Sequence, residues 1–390
     1  MKTRPWTLLL HALLLQLATY VVRPTAAYRA LELGVDVAFL GLIAASFAVL
    51  PLVVSVLIGR MADSGRGTLI LIVGAGLMVA AGIGLLLWSD SLVLLLIWNV
   101  VLGLGHLMSV LGEQSRVAQS GDRSLDSAFG FYTFAGSIGQ AMGPFLIVVF
   151  GGGRLIPDTD MLFGAYLAAA SLMLIVTLVL SADGRRGRAA AVESTPRQIP
   201  LREALRVPAA VRRQLLGAMA VSTMVLGAID LLSVYLPALG VERGLSADLI
   251  GLLLTVRAIA TMVSRLGLGF LVSKFGRQQL IISSTGLAAV ALAVLTVPMD
   301  VWPMGAVLVV AGFALGFGQP LTMTTITLAA PPGTRSVWLA LRLSGNRAGQ
   351  TLLPAGVGLV AAASGPAGVF GATAVGLAGT ALLCWRALRR

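Results

Sequence analysis

Arginine side chains stand inside long apolar stretches of this sequence. Arg257 and Arg347 lie near the centres of two such stretches, and Arg265 and Arg342 lie nearer one end of them. An arginine at the centre of a membrane helix costs roughly 2.5–3.5 kcal/mol on insertion scales, so such residues usually face a cavity or a partner. These positions therefore predict a polar site enclosed by apolar helices.

Acidic residues are scarce in the same stretches, where we find Asp230 and, near one end, Glu113. The excess of positive charge predicts that Arg257 and Arg347 hold a bound anion, such as a carboxylate, a phosphate or a sulfonate. The alternative is that these arginines pair with Asp230 or with helix carbonyls and serve only packing or gating.

Three titratable side chains are candidates to carry a proton: Asp230, Glu113 and His106. Burial disfavours an ionised carboxylate whereas a neighbouring arginine favours it. The proton affinity of Asp230 would therefore respond to a ligand that binds the arginine, which makes Asp230 the first choice. His106 lies at mid-depth and histidine titrates near neutral pH; a structural histidine bonded to a hydroxyl is the alternative.

The composition is that of a membrane protein. Hydrophobic residues make up 57% of the 390 residues and charged residues 11%, and the mean hydropathy is +0.94. Soluble domains carry about 25% charged residues, and a spanning helix needs about 20 apolar residues. We predict an all-α polytopic membrane protein with twelve transmembrane helices near residues 6–27, 37–59, 68–88, 91–113, 127–150, 161–181, 214–237, 246–272, 279–298, 301–328, 336–363 and 366–385.

The basic residues predict the orientation. Most of the 28 Lys and Arg residues fall on the side of both termini, whereas Arg29, Arg154 and Arg243 fall in loops on the other side. Positively charged loops stay in the cytoplasm, so we expect cytoplasmic termini in a bacterial inner membrane. The first apolar stretch also resembles a signal peptide, but Arg23-Pro24 is a poor approach to a cleavage site, and we expect the segment to be retained.

The chain divides into two similar halves. The predicted domains are 1–181 and 214–390, joined by a basic linker at 182–213 that we expect to lie near anionic headgroups. Residues of the two halves match at a constant offset of 210. The matched pairs are Gly34 with Gly244, Gly41 with Gly251, Gly59 with Gly269, Gly139 with Gly349, Gln140 with Gln350 and Pro144 with Pro354.

Two parallel six-helix repeats joined by a cytoplasmic linker are the architecture of the major facilitator superfamily, which this chain resembles along nearly its whole length. The resemblance implies two pseudo-symmetric bundles that enclose a central cavity and rock to open it to each side in turn. It further implies a small-molecule substrate, a surrounding lipid bilayer, a monomeric chain and no cofactor, with a proton gradient as the driving force.

In this superfamily the first and fourth helices line the substrate pathway. The resemblance therefore implies a substrate-binding set in which Arg257, Arg347 and Asp230 are joined by polar residues of the first, fourth, tenth and eleventh stretches: Gln16, Arg23, Asn99, His106, Gln319 and Asn346. For Arg23, which lies near the outer end of its stretch, snorkelling to the lipid headgroups is the alternative.

The loop after the second stretch reads GRMADSGRG at 59–67 and resembles the superfamily's cytoplasmic loop motif. The resemblance implies a latch in which the Asp63 carboxylate faces the positive end of a neighbouring helix. The motif is one residue short, and the matching loop at 269–277 has Ser273 where an acid is expected. The predicted gate comprises Gly59, Asp63, Gly65, Arg66, Gly269, Gly276 and Arg277, with Arg265 and Arg342, whose depth suits gating or snorkelling.

The fifth stretch contains Gly139, Gly143 and Pro144, which resemble the antiporter motif of drug/proton exporters in this superfamily. Small residues let helices approach closely and a proline bends the helix, so helix packing alone is the alternative. As a resemblance to the drug/proton antiporter branch, the motif favours export over import.

Other classes of function fit poorly. One cysteine and two histidines exclude a disulfide framework and a His/Cys zinc site. We find no nucleophile–base pair at matched depth, and the basic residues do not cluster as a nucleic-acid surface would. We therefore expect no enzyme but a proton-coupled exporter of small amphipathic or anionic compounds. The alternatives are an organic-anion/proton symporter and a lysolipid or lipid flippase.

Overall fold

The computed structural model describes residues 5–61, 66–118, 125–185, 206–331 and 334–388, and within these ranges it contains helices and no strand. The first half comprises α1 (Pro5–Glu32), a 3-10 turn (Val37–Phe39), α2 (Leu40–Met61), α3 (Gly67–Leu87), α4 (Leu92–Ala118), α5 (Leu125–Phe150) and α6 (Thr159–Arg185). The second half comprises α7 (Ala209–Glu242), α8 (Ala247–Leu266), α9 (Leu268–Phe275), α10 (Arg277–Val294), α11 (Val301–Gly316), α12 (Gly318–Ala329) and α13 (Arg335–Leu388).

Eleven described segments are long and apolar enough to cross a bilayer. The last of them lies in α13, whose 54 residues would extend about 80 Å, more than twice the 30 Å hydrocarbon core. Gly365 breaks this helix with a φ of 65° and a ψ of −172°, and Pro366 follows it. α13 therefore crosses twice, and the predicted fold of twelve crossings in two bundles is confirmed.

The turns that end α1 and α7 are copies of each other. Gly34 and Gly244, a matched pair of the repeat, have φ values of 71° and 69°, which glycine adopts without Cβ strain. In both turns the glycine amide bonds to the carbonyl three residues earlier, and the next amide bonds to the carbonyl five residues earlier. The same backbone cap therefore closes equivalent corners of the two bundles.

The second half is more interrupted than the first. α2 and α4 are each continuous over their described lengths, whereas the equivalent crossings are divided into α8 and α9 and into α11 and α12. The second division falls at Phe317, immediately before α12. It places Gln319 in the first turn of a new helix, facing the interior of the second bundle.

The two bundles meet along two matched crossings, α2 with the first half of α13 and α5 with α8. A Cβ atom at Gly41 would lie 2.1 Å from the carbonyl oxygen of Pro354, and one at Gly251 would lie 3.0 Å from that of Pro144. These residues form two of the matched pairs in the sequence. The repeat therefore places these two glycines and two prolines at the interface between the bundles.

Contacts between the bundles close one face of the molecule. We name it the opposite face, because the start of α1 and the end of α13 lie on the other, terminal face. The backbone amide of Ala247, at the start of α8, donates to the carbonyl of Arg154 after α5 at 2.7 Å. A Cβ atom at Gly358 would lie 2.5 Å from the carbonyl oxygen of Ala38. Among the described residues, the two bundles are therefore closed together on the opposite face.

The connection between the bundles is described at its two ends. α6 continues to Arg185 and α7 begins at Ala209, so both helices extend a few residues into the predicted linker at 182–213. Residues 186–205 of that linker lie outside the described residues. Its predicted position near the headgroups stays a prediction.

Candidate functional site

An ion pair joins the two bundles at the centre of the molecule. Nη1 of Arg23 on α1 donates to Oδ1 of Asp230 on α7. Both residues are buried, with 6% of Arg23 and 1% of Asp230 exposed. Breaking a buried pair leaves an uncompensated charge, so each residue depends on the other bundle. Arg23 therefore lies at the predicted central site and not at the headgroups.

The ion pair continues into a chain of hydrogen bonds on α13. Nε2 of Gln350 donates to Oδ2 of Asp230 at 2.7 Å, and Nη1 of Arg347 donates to Oε1 of Gln350 at 3.0 Å. The two oxygens of Asp230 thus accept from different bundles. Arg347, predicted to bind substrate, is bonded to the carboxylate only through Gln350.

Arg257 on α8 has a different environment. It is 2% exposed, and its Nε finds no acceptor among the described residues; the same holds for Nη2 of Arg23. Tyr20 and Asp230 are close enough to Arg257 to interact with it electrostatically. A buried donor without an acceptor costs about 1–3 kcal/mol, and more when it is charged. The site therefore contains guanidinium donors that an anion would satisfy.

Aromatic rings line the part of the site that the first bundle contributes. The guanidinium carbon of Arg23 lies 4.8 Å from the ring centroid of Phe47 on α2, an attractive cation–π geometry. The ring of His106 on α4 lies beside Phe47, with 5.2 Å between centroids. Tyr20, one turn before Arg23 on α1, lies within electrostatic range of Arg257.

Several of these side chains keep partial exposure although they lie between the bundles. Tyr20, His106 and Arg347 are half-buried. Because the opposite face is closed, we assign their exposure to a central cavity between the bundles. Three arginines and one carboxylate surround the inner end of this cavity, so its surroundings carry an excess of positive charge.

A second polar cluster lies within the second bundle, closer to the terminal face. Nε2 of Gln319 donates to the carbonyl of Ser222 at 2.8 Å, and Nη2 of Arg342 donates to Oε1 of Gln319 at 2.5 Å. The hydroxyl of Ser222 donates to Oδ1 of Asn346 at 2.9 Å. Gln319 and Asn346, predicted to bind substrate, and Arg342, predicted to gate, thus form one network that joins α7, α12 and α13.

The remaining predicted substrate residues make contacts inside the first bundle. Nε2 of Gln140 on α5 donates to Oε1 of Gln16 at 3.3 Å. Nδ2 of Asn99 donates to the Ile43 carbonyl at 2.5 Å and to the Ser46 hydroxyl at 2.9 Å. Asn99 is buried and its amide joins α4 to α2, whereas Gln16 is half-buried beside α5. Among the described residues, these hydrogen bonds of Gln16 and Asn99 stay within the first bundle and do not reach the Arg23–Asp230 pair.

Glu113 lies in a separate buried cluster of the first bundle. Its Oε1 is 2.5 Å from Nδ1 of His11, and its Oε2 accepts from the hydroxyl of Tyr132 at 2.8 Å. The other ring nitrogen of His11 lies 2.8 Å from the hydroxyl of Thr177. Glu113 and His11 are fully buried. This proton candidate therefore belongs to a cluster that joins α1, α4, α5 and α6, away from the Arg23–Asp230 pair.

The first predicted gate loop is described only at its ends. Gly59 lies near the end of α2, and Arg66 is exposed immediately before α3. Asp63 and Gly65 lie outside the described residues. The latch through Asp63 stays a prediction.

The second gate loop has a glycine-dependent turn. Gly276 has a φ of 78° between α9 and α10, Arg277 begins α10, and Gly269 faces open space on α9. Nη1 of Arg265 on α8 donates to Oγ of Ser137 on α5 at 2.7 Å. Arg265 therefore joins the two bundles, a contact that a gate residue would have to release.

The antiporter-like motif lies where α5 crosses α1. A Cβ atom at Gly139 would lie 2.1 Å from the carbonyl oxygen of Leu13, and one at Gly143 would lie 2.8 Å from the carbonyl carbon of Tyr20. Pro144 contacts Gly251 of the other bundle, as described above. Helix packing, the alternative explanation, accounts for all three motif residues.

Three residues of the central site are missing from the set predicted from the sequence: Tyr20, Phe47 and Gln350. The repeat contained the signal that finds them. At the offset of 210, Tyr20 matches Asp230 and Phe47 matches Arg257, and Gln350 belongs to a pair already recognised. Applying the offset to Asp230 and Arg257, and not only to the glycines, identifies Tyr20 and Phe47.

A family model described as the Major Facilitator Superfamily matches residues 8–246 and 215–390. The two matches overlap and together include every described residue except those at the start of α1. Comparison with curated protein sequences gives no match.

Solved transporter structures share this fold. The nucleoside transporter NupG has a TM-score of 0.77 at 15% identity, covering 99% of both chains. A POT family transporter in complex with a thioalcohol-conjugated peptide has a TM-score of 0.77 at 13% identity, covering 98% of this chain and 95% of that one. A bacterial homolog of the human lysosomal transporter Spinster, inward-facing and occupied, has a TM-score of 0.73 at 17% identity, covering 99% and 96%. Such identities establish the fold alone.

Proposed function

Because this chain belongs to the Major Facilitator Superfamily, whose members are membrane transporters, we propose that it carries a small organic anion together with a proton by alternating access. The observation that carries the proposal is the buried Arg23–Asp230 pair between the bundles. Arg257 and Arg347 adjoin this pair and supply positive charge that one carboxylate does not neutralise.

The arginines define the charge of the substrate. Arg257 is buried with an unsatisfied Nε, and Arg23 has an unsatisfied Nη2. Planar guanidinium groups bind carboxylates and phosphates through paired hydrogen bonds. An anion placed between them would satisfy donors that have no acceptor among the described residues.

Asp230 links anion binding to proton binding. An anion at Arg23 and Arg257 competes with the Asp230 carboxylate for the same positive charge. Two unit charges 4 Å apart repel by about 4 kcal/mol at an effective dielectric constant of 20. Protonation of Asp230 removes this repulsion and frees Arg23, so the anion and the proton each strengthen the binding of the other.

The sign of this coupling determines whether the anion and the proton cross the membrane together or in opposite directions. Ligands that strengthen each other's binding travel together, which is symport. The distribution of basic residues predicts that the terminal face is cytoplasmic, and an inward proton gradient would then drive uptake. The neutralised pair would also cease to tie α1 to α7, which would lower the barrier to rocking of the bundles.

A second candidate is proton-coupled export of an anionic or amphipathic compound, which the Gly139, Gly143 and Pro144 motif favours by its resemblance to drug/proton antiporters. Export by antiport requires the proton and the substrate to exclude each other. The two functions therefore predict opposite proton movements when the substrate binds.

The test measures proton movement upon anion binding. Benzoate is titrated into detergent-solubilised protein in a weakly buffered solution that contains a pH indicator. We expect uptake of about one proton for each benzoate bound. Asp230→Asn should bind benzoate without proton uptake, because the amide mimics the protonated carboxyl.

The matched control is Asp90→Asn, which removes an exposed carboxylate on the opposite face and should leave proton uptake unchanged. Proton release upon binding would favour antiport. Proton uptake that persists in Asp230→Asn would show that another residue carries the proton.

A further inference from the structure

The internal repeat places unlike chemistry at equivalent positions around the central cavity. Tyr20 on α1 is equivalent to Asp230 on α7, and Phe47 on α2 is equivalent to Arg257 on α8. At these two positions the first bundle therefore has a ring where the second bundle has a charged side chain. A substrate that fits between such walls has one charged end and one aromatic or apolar end.

The rings of the first bundle are accessible to different degrees. Tyr20 and His106 are half-buried, and we place their exposed parts at the central cavity. Phe47 is 2% exposed because Arg23 and His106 cover it. His106 also lies within electrostatic range of Arg347. A ring from a ligand can therefore contact Tyr20 and His106 while the ligand's charged group contacts an arginine.

We infer that the transported anion is an aromatic acid, with its acid group against Arg257 and Arg347 and its ring against Tyr20 and His106. The inference rests on the proposed anion transport and adds the chemistry of the anion's uncharged part. It assigns a specificity-determining position to Tyr20, for which the sequence predicted no role.

Aromatic ligands gain binding free energy in this cavity in addition to that from burying their surface. Offset or edge-to-face ring pairs contribute about 0.5–1.5 kcal/mol beyond burial of their surface. Guanidinium groups also stack on aromatic faces, so the arginines favour a ring as well as an acid. A saturated ring of the same size receives the burial but not these interactions.

The experiment compares three probes at one pH by isothermal titration: benzoate, cyclohexanecarboxylate and acetate. The first two have six-membered rings and similar acidity, so their difference reports aromaticity. We expect benzoate to bind about three- to tenfold more tightly than cyclohexanecarboxylate, which is the ring-pair contribution expressed as a ratio of affinities. Acetate should bind most weakly because it has no ring to bury.

Two variants at one position assign the preference. Tyr20→Leu should reduce the ratio between benzoate and cyclohexanecarboxylate to about one, whereas Tyr20→Phe should keep it, because the ring remains. Phe145→Leu removes a ring that is 49% exposed on α5 and should leave the ratio unchanged. Size-exclusion profiles and thermal unfolding without ligand establish that each variant is folded.

The outcomes separate this inference from the function on which it rests. Equal affinities for benzoate and cyclohexanecarboxylate would overturn the aromatic preference and leave anion transport standing. A preference that survives in Tyr20→Leu would overturn the role of Tyr20. Absence of binding by all three probes to the folded wild-type protein would overturn the anion site itself.

Discussion

Two regions of the molecule, the first and second bundles, share a backbone plan but differ at the cavity. Where the first bundle has Tyr20 and Phe47, the second has Asp230 and Arg257 at the equivalent positions. Away from the cavity the halves agree: a Cβ atom at Gly139 would lie 2.1 Å from a neighbouring helix, and one at Gly349 would lie 2.2 Å from one. The packing positions are retained between halves, whereas the positions that face the cavity have diverged.

The difference has a physical reason. Close helix crossings tolerate only small residues, so both copies keep glycine there. Long side chains at the central site contact other side chains, which can repack, so the two copies can hold different chemistry. A transporter built from two copies can therefore keep symmetric motion while it binds an asymmetric ligand.

The largest expected effect comes from replacing the charged member of one equivalent pair, Phe47 and Arg257. Arg257→Gln should weaken benzoate binding about 10- to 100-fold, because hydrogen bonds to charged groups contribute about 1.5–3 kcal/mol. Phe47→Leu keeps an apolar side chain beneath Arg23 and should weaken binding less than about fivefold. Isothermal titration of both variants measures the contrast.

Arg277→Gln, at the start of α10 on the terminal face, is the matched loss of one arginine and should leave the affinity within about twofold. Equal losses of benzoate affinity for Arg257→Gln and Phe47→Leu would contradict the inference that Arg257 binds the acid group whereas Phe47 only supports Arg23.

An intermediate effect is expected at the paired bundle contacts. A methyl group at Gly41 would meet the Pro354 carbonyl at 2.1 Å, closer than the 3.0 Å from Gly251 to Pro144. Overpacking costs about 1–3 kcal/mol. Gly41→Ala should therefore shift the population towards opening of the opposite face by about tenfold, and Gly251→Ala should shift it less.

Spin labels on the exposed residues Leu155 and Trp302, one on each bundle, report this opening by their separation in a Cys384→Ser background. Gly76→Ala, where a Cβ atom meets nothing within 4 Å, should leave the distance distribution unchanged. If Gly41→Ala behaved as Gly76→Ala does, the close contact would not hold the face shut.

The smallest expected effect on substrate binding concerns the other buried acid. Glu113 bonds to His11 and Tyr132 inside one bundle, whereas Asp230 joins two bundles. Glu113→Ala leaves buried partners unsatisfied and should lower Tm in detergent by about 5 °C or more. Benzoate affinity should stay within about twofold.

Differential scanning fluorimetry and isothermal titration on the same preparation separate the two readouts. A large loss of affinity in Glu113→Ala with an unchanged Tm would show that Glu113 acts on the substrate and not on the stability of the first bundle.

Much of the fold follows from local sequence. Apolar length and the spacing of turns predicted twelve crossings, because each crossing must satisfy its own backbone hydrogen bonds within the bilayer. The offset of 210 predicted matching corners, and Gly34 and Gly244 form the same cap. The two crossings of α13 were predicted as separate apolar stretches at 336–363 and 366–385, and the structure breaks the helix between them at Gly365.

The partners of the charged residues were decided by the tertiary structure. Arg23 and Asp230 are separated by 207 positions, and the sequence left Asp230 to pair with Arg257 or Arg347. The sequence also placed Asn99 and Gln16 together in the pathway, whereas the packing of α4 on α2 turns the Asn99 amide away from the centre. Local composition determines whether a helix crosses the membrane. The rotation of that helix and the residue opposite it depend on how all the helices pack together.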